Sequence, residues 1–143
     1  MKRESIQLAP NLEEWGHLKR LVTTFCEENE IADQLNISLQ LVCEEWFTNI
    51  VVHGYQGKGE ASSTPPLIEV FLWINGAGEV TIQFIDTAPA FNPLERQDPD
   101  VTLPAEDRSI GGLGIFLIRT TMDSCEYSRI DERNRFTMRK KVK

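Results

Sequence analysis

Glu45, Asn49 and His53 lie four residues apart in turn. If the segment is helical, each sits about 40° further round the axis than the last, so the three make a polar stripe beside the apolar Trp46 and Ile50. A carboxylate and a carboxamide one turn apart suit a hard cation, or a base next to a metal ligand. A solvated helix face ending in a capping histidine has the same pattern. A second candidate is Asp86. It ends the alternating row Val80, Ile82, Phe84, which puts a carboxylate on the face of a strand that is otherwise apolar. It could close a turn, or lie at the bottom of a pocket and accept from an exocyclic amine such as that of adenine. The third is the run Gly111-Gly112-Leu113-Gly114 before an apolar helical stretch. Backbone N–H groups at a helix N-terminus bind anions and glycine lets a phosphate come close, although a plain hinge also uses glycine.

These side chains need elements to hold them. Leu12, Trp15, Leu18, Val22 and Phe25 recur at steps of three and four, predicting an amphipathic helix over 12–29. A second helix is expected after Asn36 as N-cap, running through Leu39, Val42, Trp46, Phe47 and Ile50 to Gly54. Gly54 to Pro66 reads as a polar loop. Leu67 to Asn75 and Glu79 to Asp86 read as strands joined by a hairpin turn at Asn75-Gly76-Ala77-Gly78. Residues 87–110 carry Pro89, Pro93, Pro99 and Pro104 without periodicity, which suggests a binding loop or lid. A helix over Ile115 to Met122 follows. Strands over Cys125 to Ile130 and Arg135 to Val142 close the chain, with a turn at Asp131 to Asn134. This order predicts one α+β domain over 1–143: a two-layer α/β sandwich with a mixed, mostly antiparallel sheet and helices on one face.

Composition narrows the function. Fifteen basic against twenty-two acidic residues give a net charge of −7, which disfavours a phosphate backbone, so no nucleic-acid partner is expected. Cys26, Cys43 and Cys125 form no C-x-x-C pair, and Cys43 sits between apolar helix positions as a core residue would. Two histidines make a zinc site improbable. No apolar leader or membrane-length run is present, so a cytoplasmic protein without a membrane partner is expected. Leu117 occupies the third glycine position of a dinucleotide fingerprint, Gly57-Lys58 lacks phosphate-loop spacing, and no nucleophile elbow exists.

Taken in order, Glu-x-x-x-Asn on a helix, a strand ending in aspartate, a long Pro-rich segment and a Gly-x-Gly helix start resemble the histidine-kinase-like ATPase (Bergerat) superfamily, and within it the small anti-sigma factor serine kinases. The likeness runs from Trp15 to Lys141. Cys43 to Tyr55 is similar to the N box, Asp86 to Leu94 to the first glycine box, Ile110 to Arg119 to the second, and Arg135 to Met138 to the closing strand. The resemblance implies ATP or ADP with Mg²⁺. Asn49 would hold the metal and Glu45 would be the general base. Asp86 would read the adenine amine. His53, Ala88, Phe91, Gly111, Gly112, Leu113, Gly114, Ile115 and Thr137 would complete the nucleotide site, with the choice between Thr137 and its neighbour Phe136 left open because only one of the two can face the pocket. Ala88 and Ala90 stand where glycine or another small residue is usual. The implied partners are an anti-anti-sigma (STAS-type) protein bearing the acceptor serine or threonine, a sigma factor, and a second copy of the chain. A nucleotide-gated binding module without kinase activity is the alternative.

Overall fold

The computed structural model describes residues 3–55, 66–92, 94 and 112–143. Five strands form one sheet in the order β1-β2-β3-β5-β4. They are β1 (Arg3–Leu8), β2 (Ile68–Ile74), β3 (Glu79–Asp86), β4 (Ser124–Ile130) and β5 (Arg133–Lys141), with helices α1 (Trp15–Glu28), α2 (Asp33–Asn49) and α3 (Gly112–Thr121). Every pairing is antiparallel. The α+β class and the two layers are as expected, but the described sheet contains no parallel pair.

Register aligns rows of side chains across the sheet. Val70, Phe84, Phe136 and Tyr127 are successive partners, as are Leu72, Ile82, Met138 and Cys125. These rows face the helices. Val70, Leu72, Ile82, Phe84, Phe136 and Met138 form one core with Leu18 and Phe25 of α1, Leu39 and Phe47 of α2 and Ile118 of α3. Each fully buried side chain of this kind contributes about 1.5–3 kcal/mol relative to exposure. Cys43 is part of this core.

Three expectations need correction. β1 precedes the first helix and was not anticipated; only Ile6 and Leu8 mark its inner face, too short a pattern to register, and it is secured by pairing with β2. α2 begins at Asp33, not after Asn36. The Asn36 N–H already donates to the Ala32 carbonyl at 2.9 Å, and its side-chain oxygen accepts from Gln40 Nε2 at 2.8 Å. Asn36 is thus an interior helical residue. The last turn is shorter than expected. Asp131 and Glu132 alone make it, both at positive φ (52° and 62°), and Arg133 already pairs with Ile130. That is the geometry of a two-residue primed turn, which matches strand twist but normally uses Asn-Gly. Asn134 therefore belongs to β5.

α2 does not stop cleanly. From Ile50 to Tyr55 the chain continues as a wider, π-helical turn, a feature often found at functional sites. The Tyr55 hydroxyl at its end donates to the Leu67 carbonyl at 3.1 Å and accepts from the Thr87 N–H at 2.9 Å. It thereby ties the helix end to the segment just beyond Asp86. The expected loop at Gly54 to Pro66 falls largely, and the expected lid over 87–110 mostly, outside the described residues.

Candidate nucleotide site

α2, α3 and the Asp86 end of the sheet converge on one region. Asn49 is buried, and its Nδ2 donates to the Glu45 carbonyl at 2.7 Å. This bond fixes the carboxamide and leaves Oδ1 as the acceptor that the described residues do not use. Across from it, Gly114 in the first turn of α3 permits close approach. A Cβ there would lie 2.6 Å from Glu45 Oε2 and 3.3 Å from Asn49 Nδ2. Glu45, Asn49 and Gly114 are thus brought together, as expected of the stripe and the glycine run. They share an open cavity of about 190 Å³ with His53. A larger cavity of about 330 Å³ runs along α3 past Glu45, Leu113 and Gly114. Burial, and secondarily the neighbouring Glu44, pushes the Glu45 carboxyl above its ordinary value, the direction that suits a general base near neutral pH.

Asp86 lies on the far side of Asn49, at 3% exposure. Its Oδ1 accepts from the Ala88 N–H at 3.0 Å and from Asn134 Nδ2 at 2.9 Å. Burial raises its pKa, opposed by the Asn134 bond, the Ala88 N–H and the Arg129 charge. Ala88 is buried and does not need the glycine-favouring backbone: among described residues the non-glycine positive φ values belong to Glu30, Asp131 and Glu132. Phe91 stacks on Trp46, with ring centroids 6.1 Å apart. Trp46, Asn49, Asp86, Ala88, Phe91 and Asn134 line a cavity of only about 10 Å³, room for roughly one water. The Trp46 Nε1 is buried without a partner among the described residues. Trp46 is therefore both core and cavity wall.

One expected member does not join. Thr137 lies on the opposite face of the sheet from Asp86, because strand neighbours alternate; its hydroxyl accepts from Gln83 Nε2 at 3.1 Å. Phe136 is the residue on the helix side, 4.5 Å from the Trp46 ring. The Ile115 side chain is buried, so only its backbone could serve a ligand. Gly112 opens α3; Gly111 lies outside the described residues.

Sequence reasoning missed Asn134, Arg129 and the latch at Tyr55. Asn134 pairs with Asp86 on one side and with Arg129 on the other. Its Oδ1 accepts from Arg129 Nη1 at 2.9 Å and from the Tyr127 hydroxyl. The signal was present in the alternation Asn134, Phe136, Met138, but reading the turn two residues too long hid it.

The donor set suits a cation and the polar groups of a nucleotide, although the cavity at Asp86, at about 10 Å³, is too small for a base as it stands. Mg²⁺ commonly takes one or two protein oxygens and fills its shell with water and phosphate, and Asn49 Oδ1 offers one. No cluster of three His, Cys, Asp or Glu side chains able to hold a metal is found among the described residues. Asp86 keeps Oδ2 free of described hydrogen bonds. No described helix is long and apolar enough to cross a membrane.

Comparison with known proteins gives the family and the fold. The chain is 28% identical over 105 residues, 73% of its length and 70% of the relative's, to the serine/threonine-protein kinase BtrW of Bordetella bronchiseptica. The solved structure of the RsbU and RsbW domains of a Mycobacterium tuberculosis protein superposes with a TM-score of 0.67 at 13% identity. That match takes in 99% of this chain and 33% of the longer one, and shows a common fold. Residues 8–140 match the sequence profile described as the histidine kinase-like ATPase domain, and the chain belongs to that family.

Proposed function

We propose that the protein is an ATP-dependent serine/threonine kinase that acts as an anti-sigma regulatory factor. One observation carries the reading: Glu45, Asn49 and Gly114 meet within contact distance, and Asn49 also walls the cavity that holds Asp86. Base reader, metal ligand and carboxylate base would then follow one another along a single path. The likeness to a named serine/threonine-protein kinase and to an RsbW domain supports the same reading.

In this reading Asp86 accepts from the adenine amine, and Asn49 Oδ1 takes a place in the Mg²⁺ shell. Mg²⁺, when bound, neutralises phosphate charge. The backbone at the start of α3 faces the phosphates, which suits an acidic protein because dipoles supply the field in place of basic side chains. Glu45 accepts the hydroxyl proton of a partner's serine or threonine. That oxygen bonds to the γ-phosphorus as the bond from phosphorus to the bridging oxygen breaks. The acceptor would be an anti-anti-sigma protein, a sigma factor the alternate partner, and the working unit a homodimer. The 10 Å³ base cavity favours a second reading. A site so nearly closed would suit a partner-binding module in which nucleotide acts as a rare gate.

A thermal shift with Mg-ATP tests the first step. Ligand at about 100 times its Kd adds roughly 2.7 kcal/mol. The rise should vanish in Asp86→Asn, where an amide replaces the acceptor. No shift in the unaltered protein would overturn nucleotide binding, and an equal shift in the variant would remove Asp86 from the base site.

A further inference from the structure

We infer that Asn134, held by Arg129, is a positioning residue that leaves Asp86 a single free acceptor oxygen and so makes the base site select adenine over guanine. This inference rests on the nucleotide reading above and adds a specificity element to it.

The three residues form one row across three strands. Asp86 on β3 faces Asn134 on β5, which faces Arg129 on β4. A carboxamide between a guanidinium and a carboxylate has one workable orientation. Arg129 carries only donors, so it must meet Oδ1, and the carboxylate accepts only, so it must meet Nδ2. The distances agree: 2.9 Å from Arg129 Nη1 to Asn134 Oδ1 and 2.9 Å from Asn134 Nδ2 to Asp86 Oδ1. The same Nδ2 also reaches the carbonyls of Ala88 and Pro89, at 3.1 and 3.0 Å. Arg129 Nη1 makes a second bond to the Ala88 carbonyl at 3.1 Å. The amide is thus fixed from both ends, and the segment after Asp86 is fixed with it.

The consequence lies in the lone pairs. An ionised carboxylate offers about two acceptor sites on each oxygen. On Asp86 Oδ1 both are taken, by the Ala88 N–H and by Asn134. Only Oδ2 remains for a ligand. Adenine presents an amine beside ring-nitrogen acceptors, so one acceptor oxygen satisfies its donor. Trp46 is in the same cavity wall, and its buried N–H has no partner among the described residues; turned to the cavity it would supply the complementary donor. Guanine presents two adjacent donors, its ring N–H and its amine, and pairs with a carboxylate best through both oxygens. With Oδ1 occupied, one guanine donor would be desolvated without a partner, and sites of this kind reject such ligands strongly.

The test measures Mg-ATP and Mg-GTP affinity of the full chain, the Asn134→Ala variant and the Arg129→Met variant. Arg129 is an exposed residue, so the second variant folds even if the first does not. The unaltered protein should prefer ATP. Asn134→Ala should cut the ATP/GTP ratio by about tenfold or more, and Arg129→Met should move it the same way by less. A second readout separates positioning from mere packing. Asn134 and Arg129 both hold the Asp86 carboxyl down, so the pH midpoint for adenosine binding should rise in each variant. The other charged or titratable groups near Asp86 are Tyr55 beside it and Glu69 and Arg133 across the neighbouring cavity; these stay unchanged. A folded variant with unaltered ratio and midpoint overturns the inference while leaving nucleotide binding intact. An unaltered protein that binds neither nucleotide overturns both.

Discussion

Replacing Gly114 by alanine separates stability from turnover. The new methyl carbon would start 2.6 Å from Glu45 Oε2, and ordinary contact begins at 3.4 Å. The carboxylate oxygen must therefore retreat by about 0.8 Å. The main obstacle is the end of a flexible, partly exposed side chain, with Asn49 Nδ2 at 3.3 Å needing to give only a few tenths of an ångström, so the fold can yield: Glu45 turns toward solvent, and alanine regains up to about 1 kcal/mol of helix propensity. The melting temperature should change by no more than a few degrees. Activity should not be spared. A displacement near 1 Å at a reacting group can cost about 100-fold, so phosphate transfer from Mg-ATP to a serine-bearing anti-anti-sigma protein should fall by about that factor. The Mg-ATP thermal shift should persist in reduced form, because Asp86 is untouched while Asn49 Nδ2, 3.3 Å from the new carbon, must also give slightly. The assay is single-turnover transfer of labelled γ-phosphate, run beside a melt of the same preparation. Full-rate transfer in a folded Gly114→Ala protein would refute the assignment of Glu45 as base. A large drop in melting temperature would refute the claim that the clash is absorbed by one side chain.

Two further outcomes follow from the same geometry. Burial raises the Asp86 pKa above its ordinary 3.8. The folded chain therefore holds this proton to higher pH than the unfolded chain, and the stability this group contributes is full below 3.8 and lost as pH rises through the raised value. Base binding runs the other way, since the amine needs an ionised acceptor: adenosine affinity, measured calorimetrically from pH 7 downward, should fall with a midpoint above 3.8, and a midpoint at or below it would contradict a buried reader. At the β4–β5 turn, Asp131→Asn with Glu132→Gly places residues that tolerate the left-handed region at two such positions, where most side chains cost about 1–2 kcal/mol each. After the entropy cost of glycine the pair should raise the melting temperature by a few degrees, and a lower one would mean the acidic pair makes contacts that outweigh the strain.

The positions of Glu45, Asn49, Asp86 and Gly114 were legible in sequence because each rests on local periodicity. The stripe needs only a helix, the aspartate only an alternating strand, the glycine only a helix start. What sequence could not supply was which residue stands across from Asp86. That depends on where β5 begins, and the begin-point turns on Asp131-Glu132 adopting a conformation that neither residue favours. A shift of one residue reverses every side chain of a strand, and the choice between Phe136 and Thr137 stayed open in sequence for the same reason; the register puts Phe136 on the helix side and Thr137 on the other. β1 was invisible for another reason: its six residues carry two inward apolar side chains and depend on β2 for support.

The bond between Asn134 and Asp86 joins residues 48 positions apart in the chain. Contacts of such long range form only after the intervening chain has been gathered, and the entropy of doing so delays them. The base cavity would then be among the last parts of the molecule to assemble, after the β2–β3 and β4–β5 hairpins. A nucleotide that recognises this row has nothing to grip in a half-folded chain. It would leave the folding rate alone and slow unfolding, so occupancy sets how long each molecule survives after folding and has no say in how quickly it is made.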